Sequence, residues 1–481
     1  MNDIRILIAR LDWPSTTVRW WAMQELAARL GDSVKRCETE SALTQRLRKC
    51  RLEAEVVETL CVFWISAKGY GYLPNIKLAD NIKKPSLLSS QLLKSLGISD
   101  KYAAGDLTEV PKNFESPEDF YGVQGVDLPK IFMTNLRRFE TVSSLPFVKQ
   151  MAFEWTKNRD AYPDAPYQGE AWHFIRPLGD GFIGQLSSRT ALRTISAYLR
   201  ALEVGKNFWK ISDSVINDAS LLALPIHPTL AFLTPNKPDW FISPIAGFSE
   251  DSNSTEIALR TMLARFEETR PGDELIAFSS PVLVSMELCI EVSMVRWSQA
   301  VNSSVSDENL AEHLKVYLKQ LKTLPSESVE LLSTVTTVKY TNANRLLDEQ
   351  SASWPLACYL DYYRMGYLQH DLYPGRLFIP NMVGETEIMI APESGKLKMS
   401  ADIRDIAEFN YWNAGWGPAR PQQFQGNCGT ALVSRGKAYR ELAVSSAPAI
   451  RDFYLWQVRI LRRSNTFDRF NESINSGIIF I

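Results

Sequence analysis

Residues 282–294 read Val282-Leu283-Val284-Ser285-Met286-Glu287-Leu288-Cys289-Ile290-Glu291-Val292-Ser293-Met294. Every second residue from Val282 is apolar, and after Leu283 the gaps are filled by Ser285, Glu287, Cys289, Glu291 and Ser293. A period of two places one set on each face of a strand, one buried and one wet, as in antiparallel sheets. The pattern holds over 282–296, longer than a usual strand of roughly 3–10 residues, so it predicts a bulge or bend within it.

Further short strands are expected around it: Ala171–Pro177 and Phe182–Leu186 across a Gly-Asp-Gly turn, then Leu377–Ile379, Glu387–Ile390, Lys396–Ala401, Ala431–Val433 and Tyr454–Ile460. The end, Ile478-Ile479-Phe480-Ile481, is too apolar to hang in water and is expected as a strand in a sheet or against a partner. Upstream the period changes. Val18, Ala22, Leu26 and Leu30 recur at helical spacing before Gly31, and Leu43, Leu47, Val56, Leu60 and Phe63 mark a second pair of helices. Helices follow at Leu87–Leu96, Pro129–Phe139, Leu145–Lys157, Ser187–Val204, Thr255–Glu268 and Asn309–Leu324. The class is therefore α+β: a helical N-terminal region, then mixed modules with antiparallel sheets. Module boundaries are placed at 1–80, 81–160, 165–330 and 331–481.

With 481 residues the chain exceeds one core, since cores stop growing near roughly 250–300 residues. Its 45% hydrophobic and 22% charged content is that of a globular protein rather than a disordered one. A formal charge of −2 provides no overall attraction to nucleic acid or anionic lipid, leaving local basic patches as the one route to nucleic acid. No run approaches the ~20 apolar residues of a membrane span, and the start lacks the basic and apolar segments of a signal peptide. Six cysteines stand apart with no CxxC pair, which suits a reducing, cytoplasmic setting. Neither a metal nor a cofactor is expected, and no Rossmann or Walker glycine pattern occurs.

The run Asp12-x-Pro14-x-x-x-Val18-Arg19-x-x-Ala22-x-x-x-Leu26-x-x-x-Leu30 resembles the inner half of a HEAT repeat. The resemblance covers residues ~10–80. It implies protein–protein contact along stacked helical hairpins and no chemistry. The joining of helical hairpins to mixed modules also resembles accessory proteins of bacterial defence systems.

Three groups of residues invite a functional reading. Gln425-Gly426-Asn427-Cys428-Gly429-Thr430-Ala431 resembles the nucleophile loop of trypsin-like proteases, with Cys428 in the serine's place and Thr430 where a second glycine belongs. It is also similar to the Gln-Gly-x-Cys-Gly segment of papain-like proteases, but Ala431 stands where their nucleophile lies. A cysteine hydrolase would pair Cys428 with His370 or His313; the bland reading is a turn with a structural thiol. His173 and His227 read as structural, and Glu287 and Glu291 as solvent-facing.

Arg189, Arg193 and Arg200 fall on one helical face, a stripe that could hold phosphate or pair with nearby acids such as Glu203. Arg459, Arg462, Arg463 and Arg469 make a second basic group. Phe409, Tyr411, Trp412 and Trp416 crowd one turn-rich segment, to stack on a ligand, anchor a partner or plug a core. The leading expectation is a non-enzymatic interaction subunit of a larger cytoplasmic assembly, binding protein partners. The alternatives are the cysteine hydrolase and a nucleic-acid binder using the arginine face.

Overall fold

The computed structural model describes residues 3–13, 16–99, 106–118, 120, 131–161, 189–226, 231–232, 237–241, 251–285, 287–300, 353–355, 382–383, 386–413, 428–443, 449–465, 468 and 471–481. The class is α+β, with helices first and an antiparallel sheet after them. The chain divides into two compact units: Met1–Arg176 with Ile183–His227, and Pro177–Phe182 with Pro228–Ile481. Modules 1–80 and 81–160 of the sequence reading both fall in the first. The strands expected at 171–177, 182–186 and 377–379, and the helix at 309–324, lie outside the described residues.

In the first unit, α1 (Asp3–Arg10), α2 (Thr16–Gly31), α3 (Arg36–Lys49) and α4 (Glu53–Tyr70) form the opening helices. Helix α1 packs on α2 and α3, and α4 packs on α2 and α3. The apolar ladder closes this core: Ala22, Leu26, Leu30, Leu43, Leu47, Val56, Leu60 and Phe63 are all buried. Gly31 ends α2, as its position suggests, and has a second role. A Cβ there would come within 2.6 Å of the Tyr70 Cβ, so glycine lets α2 and α4 touch. Gly71, at φ +66°, turns the chain out of α4.

Next come α5 (Leu87–Ser95), α6 (Ile131–Ser143), α7 (Phe147–Ala161), α8 (Arg189–Asn207) and α9 (Asp213–Ser220). Ser86 caps α5, accepting from the Ser89 N–H at 3.1 Å. Helix α8 is the centre of this unit, packed on α4, α5, α7 and α9. Every residue from Leu192 to Gly205 is buried, so α8 has no wet face over that length.

The second unit opens with α10 (Ser252–Thr269), capped by Asp251, whose carboxylate accepts from the Ser254 N–H at 2.9 Å. The 282–296 run is not one strand. It is parts of β1 (Glu274–Ser285) and β2 (Leu288–Ala300), which reverse between Ser285 and Leu288. Ser285 pairs with Leu288 across a two-residue connection, which alone would set odd positions opposite even ones; the register shift beside it restores the phase, so Val282 stands opposite Ile290 and the alternation runs through the reversal. The expected bend is a hairpin, with a register shift between Leu283 and Ser285.

The remaining strands are β3 (Ser353–Pro355), β4 (Met382–Val383), β5 (Thr386–Glu387), β6 (Met389–Glu393), β7 (Lys396–Ala401), β8 (Arg404–Asn413), β9 (Cys428–Ser434), β10 (Ala449–Arg462) and β11 (Asn471–Phe480). A short helix, α11 (Ala438–Ala443), follows β9. Nine strands form one antiparallel sheet in the order β11-β10-β2-β1-β9-β8-β7-β6, with β3 also on β2. The apolar C-terminus is its edge strand, β11.

Under α10, one face of the sheet carries a ring-rich cluster containing Trp240, Phe241, Phe266, Phe278, Trp412 and Trp456. Trp412 stacks on Phe278 at 6.4 Å and 6° and meets the Trp240 edge at 6.1 Å. A second cluster, Trp297, Phe453 and Leu455, is backed by Val295, Ile478 and Phe480.

Candidate interaction surface

Helix α1 divides its side chains sharply. Ile4, Leu7 and Leu11 are buried at helical spacing. Ile6, Arg10 and Trp13 stand at i, i+4 and i+7, and Ile6 and Trp13 are each 54% exposed. Backbone bonds from Asp12 N–H to the Ala9 carbonyl and from Trp13 N–H to the Arg10 carbonyl, both 3.1 Å, continue the helix as a 3₁₀ turn. That turn sets Trp13 beyond Arg10 on the same side. Arg10 lies over the Trp21 ring at 4.9 Å, and Trp21 itself is 38% exposed. Two indoles, one isoleucine and one guanidinium thus share one outward surface of α1 and α2.

Polar ties hold this surface from behind. Asp12, in the α1–α2 turn, accepts two hydrogen bonds from Arg46 of α3, at 2.9 and 3.0 Å. Burial works against the Arg46 charge, but Asp12 raises its pKa, so the guanidinium stays charged. Arg19 of α2 pairs with Glu58 of α4 at 2.9 Å, both nearly buried. Burial raises the Glu58 carboxyl, and Arg19 and Arg46 oppose that rise. Asp12 and Arg19 are the polar residues of the repeat-like motif, and both are consumed in fixing helix to helix. The anchors they support are of the types that dominate protein interfaces, Trp and Arg above all.

The residues singled out in the sequence fall elsewhere. Arg189 opens α8. Arg193 and Arg200 are buried in α8, not on a solvated face. Arg200 donates to Glu154 at 2.6 Å, Glu53 at 3.2 Å and Asp106 at 3.2 Å. Burial raises the Glu53 carboxyl, and Arg200 opposes the rise. Arg193 lies over Trp155 at 5.0 Å. Neither guanidinium is presented to a phosphate chain. Their partners stand 46, 94 and 147 residues from Arg200, which helix spacing cannot reveal.

Tyr411 and Trp412 are buried strand residues of β8, not part of a turn, and Trp412 belongs to the ring cluster. Trp416 lies outside the described residues. Cys428 begins β9 opposite Asn413, and Gly429 and Thr430 are ladder residues rather than a turn. Gly429 has a packing reason: a Cβ there would meet the Trp412 ring at 2.2 Å. His173, His227, His313, His370 and Arg469 lie outside the described residues. Arg462 closes β10, Arg463 follows it, and both line a cleft of about 310 Å³ with Ser464, Asn471, Glu472 and Ser473. Arg459 is opposite Glu291 by register, and the Glu287 carbonyl accepts from the Arg463 N–H at 2.9 Å.

Among the described residues, no three His, Cys, Asp or Glu side chains converge to hold a metal. Among them also, no helix is long and apolar enough to cross a membrane. No family model matches the chain, and no curated protein matches it.

The α1 surface is not read from the sequence because the eight residues of α1, ahead of the break at Asp12-Trp13-Pro14-Ser15, are too few to show a long periodic stripe. Its signal was present: Ile4, Leu7 and Leu11 on one face, with Ile6 and Trp13 left over on the other.

Proposed function

We propose that the chain is a non-enzymatic interaction subunit of a larger cytoplasmic assembly, and that a protein partner docks on the α1 surface. The observation that carries this reading is the exposed stripe Ile6–Arg10–Trp13 with Trp21 beside it. Apolar side chains at i and i+7 on a helix are the anchors by which helices seat in partner grooves. The supporting ties, Asp12 to Arg46 and Arg19 to Glu58, hold the stripe before a partner arrives and lower the ordering cost of binding. A HEAT-like reading of the region gains support from the packing of α1 on α3 and of α2 on α4, as successive hairpins stack. The free thiols Cys37, Cys50 and Cys61 suit a reducing compartment.

The test uses the full chain and a Trp13→Ser/Trp21→Ser variant as baits in cells of the source organism. Each recovered set is identified by mass. The reading expects a stoichiometric partner with the unaltered chain, lost with the variant, while circular dichroism stays the same. Recovery of the same partner by both baits would sink the docking surface.

A further inference from the structure

The nine-stranded sheet ends in two unlike edges. β6 is five residues long, carries Pro392, which has no N–H to donate, and closes on Glu393, paired with Lys398 at 3.2 Å. Short length, proline and charge are the devices that keep an edge from pairing further. β11 has neither the short length nor the proline, and little of the charge. It is ten residues long, with no proline or lysine and a single charge, Glu472. Its ladder with β10 runs from Phe453 opposite Phe480 to Arg462 opposite Asn471 with no register shift. Among the described residues no strand pairs with its outer side.

Both apolar clusters reach this edge and end there. Ile479 is buried in the cluster beneath α10, while Ile478 and Phe480 pack against the Trp297, Phe453 and Leu455 cluster. Ile474 and Ile478 are only half-buried, and Ile481 is exposed.

We propose that β11 pairs antiparallel with β11 of a second copy across a twofold axis, joining two sheets edge to edge. Self-pairing suits this strand electrostatically. Its one charge meets itself only in a register centred on Glu472, which overlaps residues 471–473 alone, so longer registers oppose no like charges. A register centred on Ser476 sets Ile474 of each copy opposite Ile478 of the other and extends the second cluster across the axis. An isologous contact of this kind closes at two copies and leaves the guarded β6 edges outermost.

Light scattering on the eluting full chain, over a range of micromolar concentrations, gives the test. The unaltered chain is expected as a dimer. Ser476→Lys and Ser476→Glu each place like charges together at the axis and are expected to weaken the dimer about tenfold or more. An equimolar mixture of the two variants restores a mixed dimer, which misfolded variants could not do. A monomeric unaltered chain overturns the proposal, including one that binds an extended peptide at this edge. So does a dimer that neither substitution weakens.

Discussion

The helical unit and the sheet unit place charge differently. In the helical unit, charged groups sit in the middle: Arg200 of α8 holds Glu53, Glu154 and Asp106, and every residue of that helix from Leu192 to Gly205 is buried. In the sheet unit, the middle is built of rings, and the charged groups gather toward one end. There Arg296 holds Asp452 and Glu274, and Glu408 accepts from Arg270, Lys396 and Arg435. The difference follows from geometry. A central helix presents side chains in all directions, so long polar residues must find partners inside. A strand sends neighbours to opposite faces, so Arg296, Asp452 and Glu408, buried although they stand toward the sheet's end, find their partners on neighbouring strands and nearby turns.

The largest effect expected is on the Arg200 network. Arg200→Met removes the cation and leaves Glu53 and Glu154 facing each other inside the unit. Breaking one partner of a buried ion pair costs about 3–5 kcal/mol. The helical far-UV transition should move down strongly on heating. Adding Glu154→Gln to Arg200→Met should recover part of the loss, because one of the stranded charges is then gone. A single Arg200→Met protein with an unchanged transition would mean that the network is not a feature of the folded chain.

Acid should act on the two units mainly through carboxyls shifted in opposite senses, although Glu274 of the sheet unit is also raised by burial. Burial works to raise Glu408, but Arg270, Lys396 and Asn410 prevail and hold it at about 2. A carboxyl lowered in the fold adds stability above its ordinary value, 4.5, and loses it as pH falls toward 2. Glu53 and Glu58 are shifted the other way, raised by burial. Their contribution grows as pH falls through the raised value and is lost as pH rises through it. Asp106, lowered by Arg200 despite burial, partly offsets them. Stepwise acidification should therefore cost the near-UV signal of the sheet's tryptophans before the helical far-UV signal. Glu408→Gln should remove most of the sheet's acid sensitivity.

Much of the fold was legible because its periods are local. The ladder Ala22–Leu26–Leu30, the strand Lys396–Ala401 and the apolar C-terminus each carry their own pattern, and the structure contains each element. The hairpin at Ser285–Leu288 was not legible, since the register shift beside its two-residue turn keeps the alternation in phase across the reversal. The arginines of α8 looked like a solvated stripe, because their partners lie on other helices and in a loop. Gly429 looked like part of a nucleophile loop, because the ring that requires it, Trp412, is seventeen positions earlier in the sequence and meets it only across the ladder.

That ladder contact leaves no room for a methyl group. Trp412 covers Gly429 on the neighbouring strand, and Trp456 covers Gly477 in the same way, where a Cβ would meet the ring at 2.5 Å. Gly429→Ala must push a buried indole off its stack with Phe278, at a cost of about 1–3 kcal/mol. Intrinsic fluorescence should report the displaced ring. Pairing Gly429→Ala with Trp412→Phe makes room for the methyl group and should cost less than the sum of the two single changes. Strict additivity would mean that the clash is relieved elsewhere.

The smallest effect on stability belongs to the surface with the largest proposed effect on function, which makes α1 a useful control. Leu11 is buried and Trp13, two residues on, is not. Leu11→Ala should lower the helical transition by about 2–5 kcal/mol, as a buried truncation does. Trp13→Ser removes a larger side chain but should cost no more than about 1 kcal/mol, since more than half of the residue is exposed. If Trp13→Ser unfolded the unit as readily as Leu11→Ala, the indole would be part of the core, and the outward stripe would lose its meaning as a docking surface. If the protein stays folded while its partner is lost, the tryptophan is held in the open for binding rather than for stability.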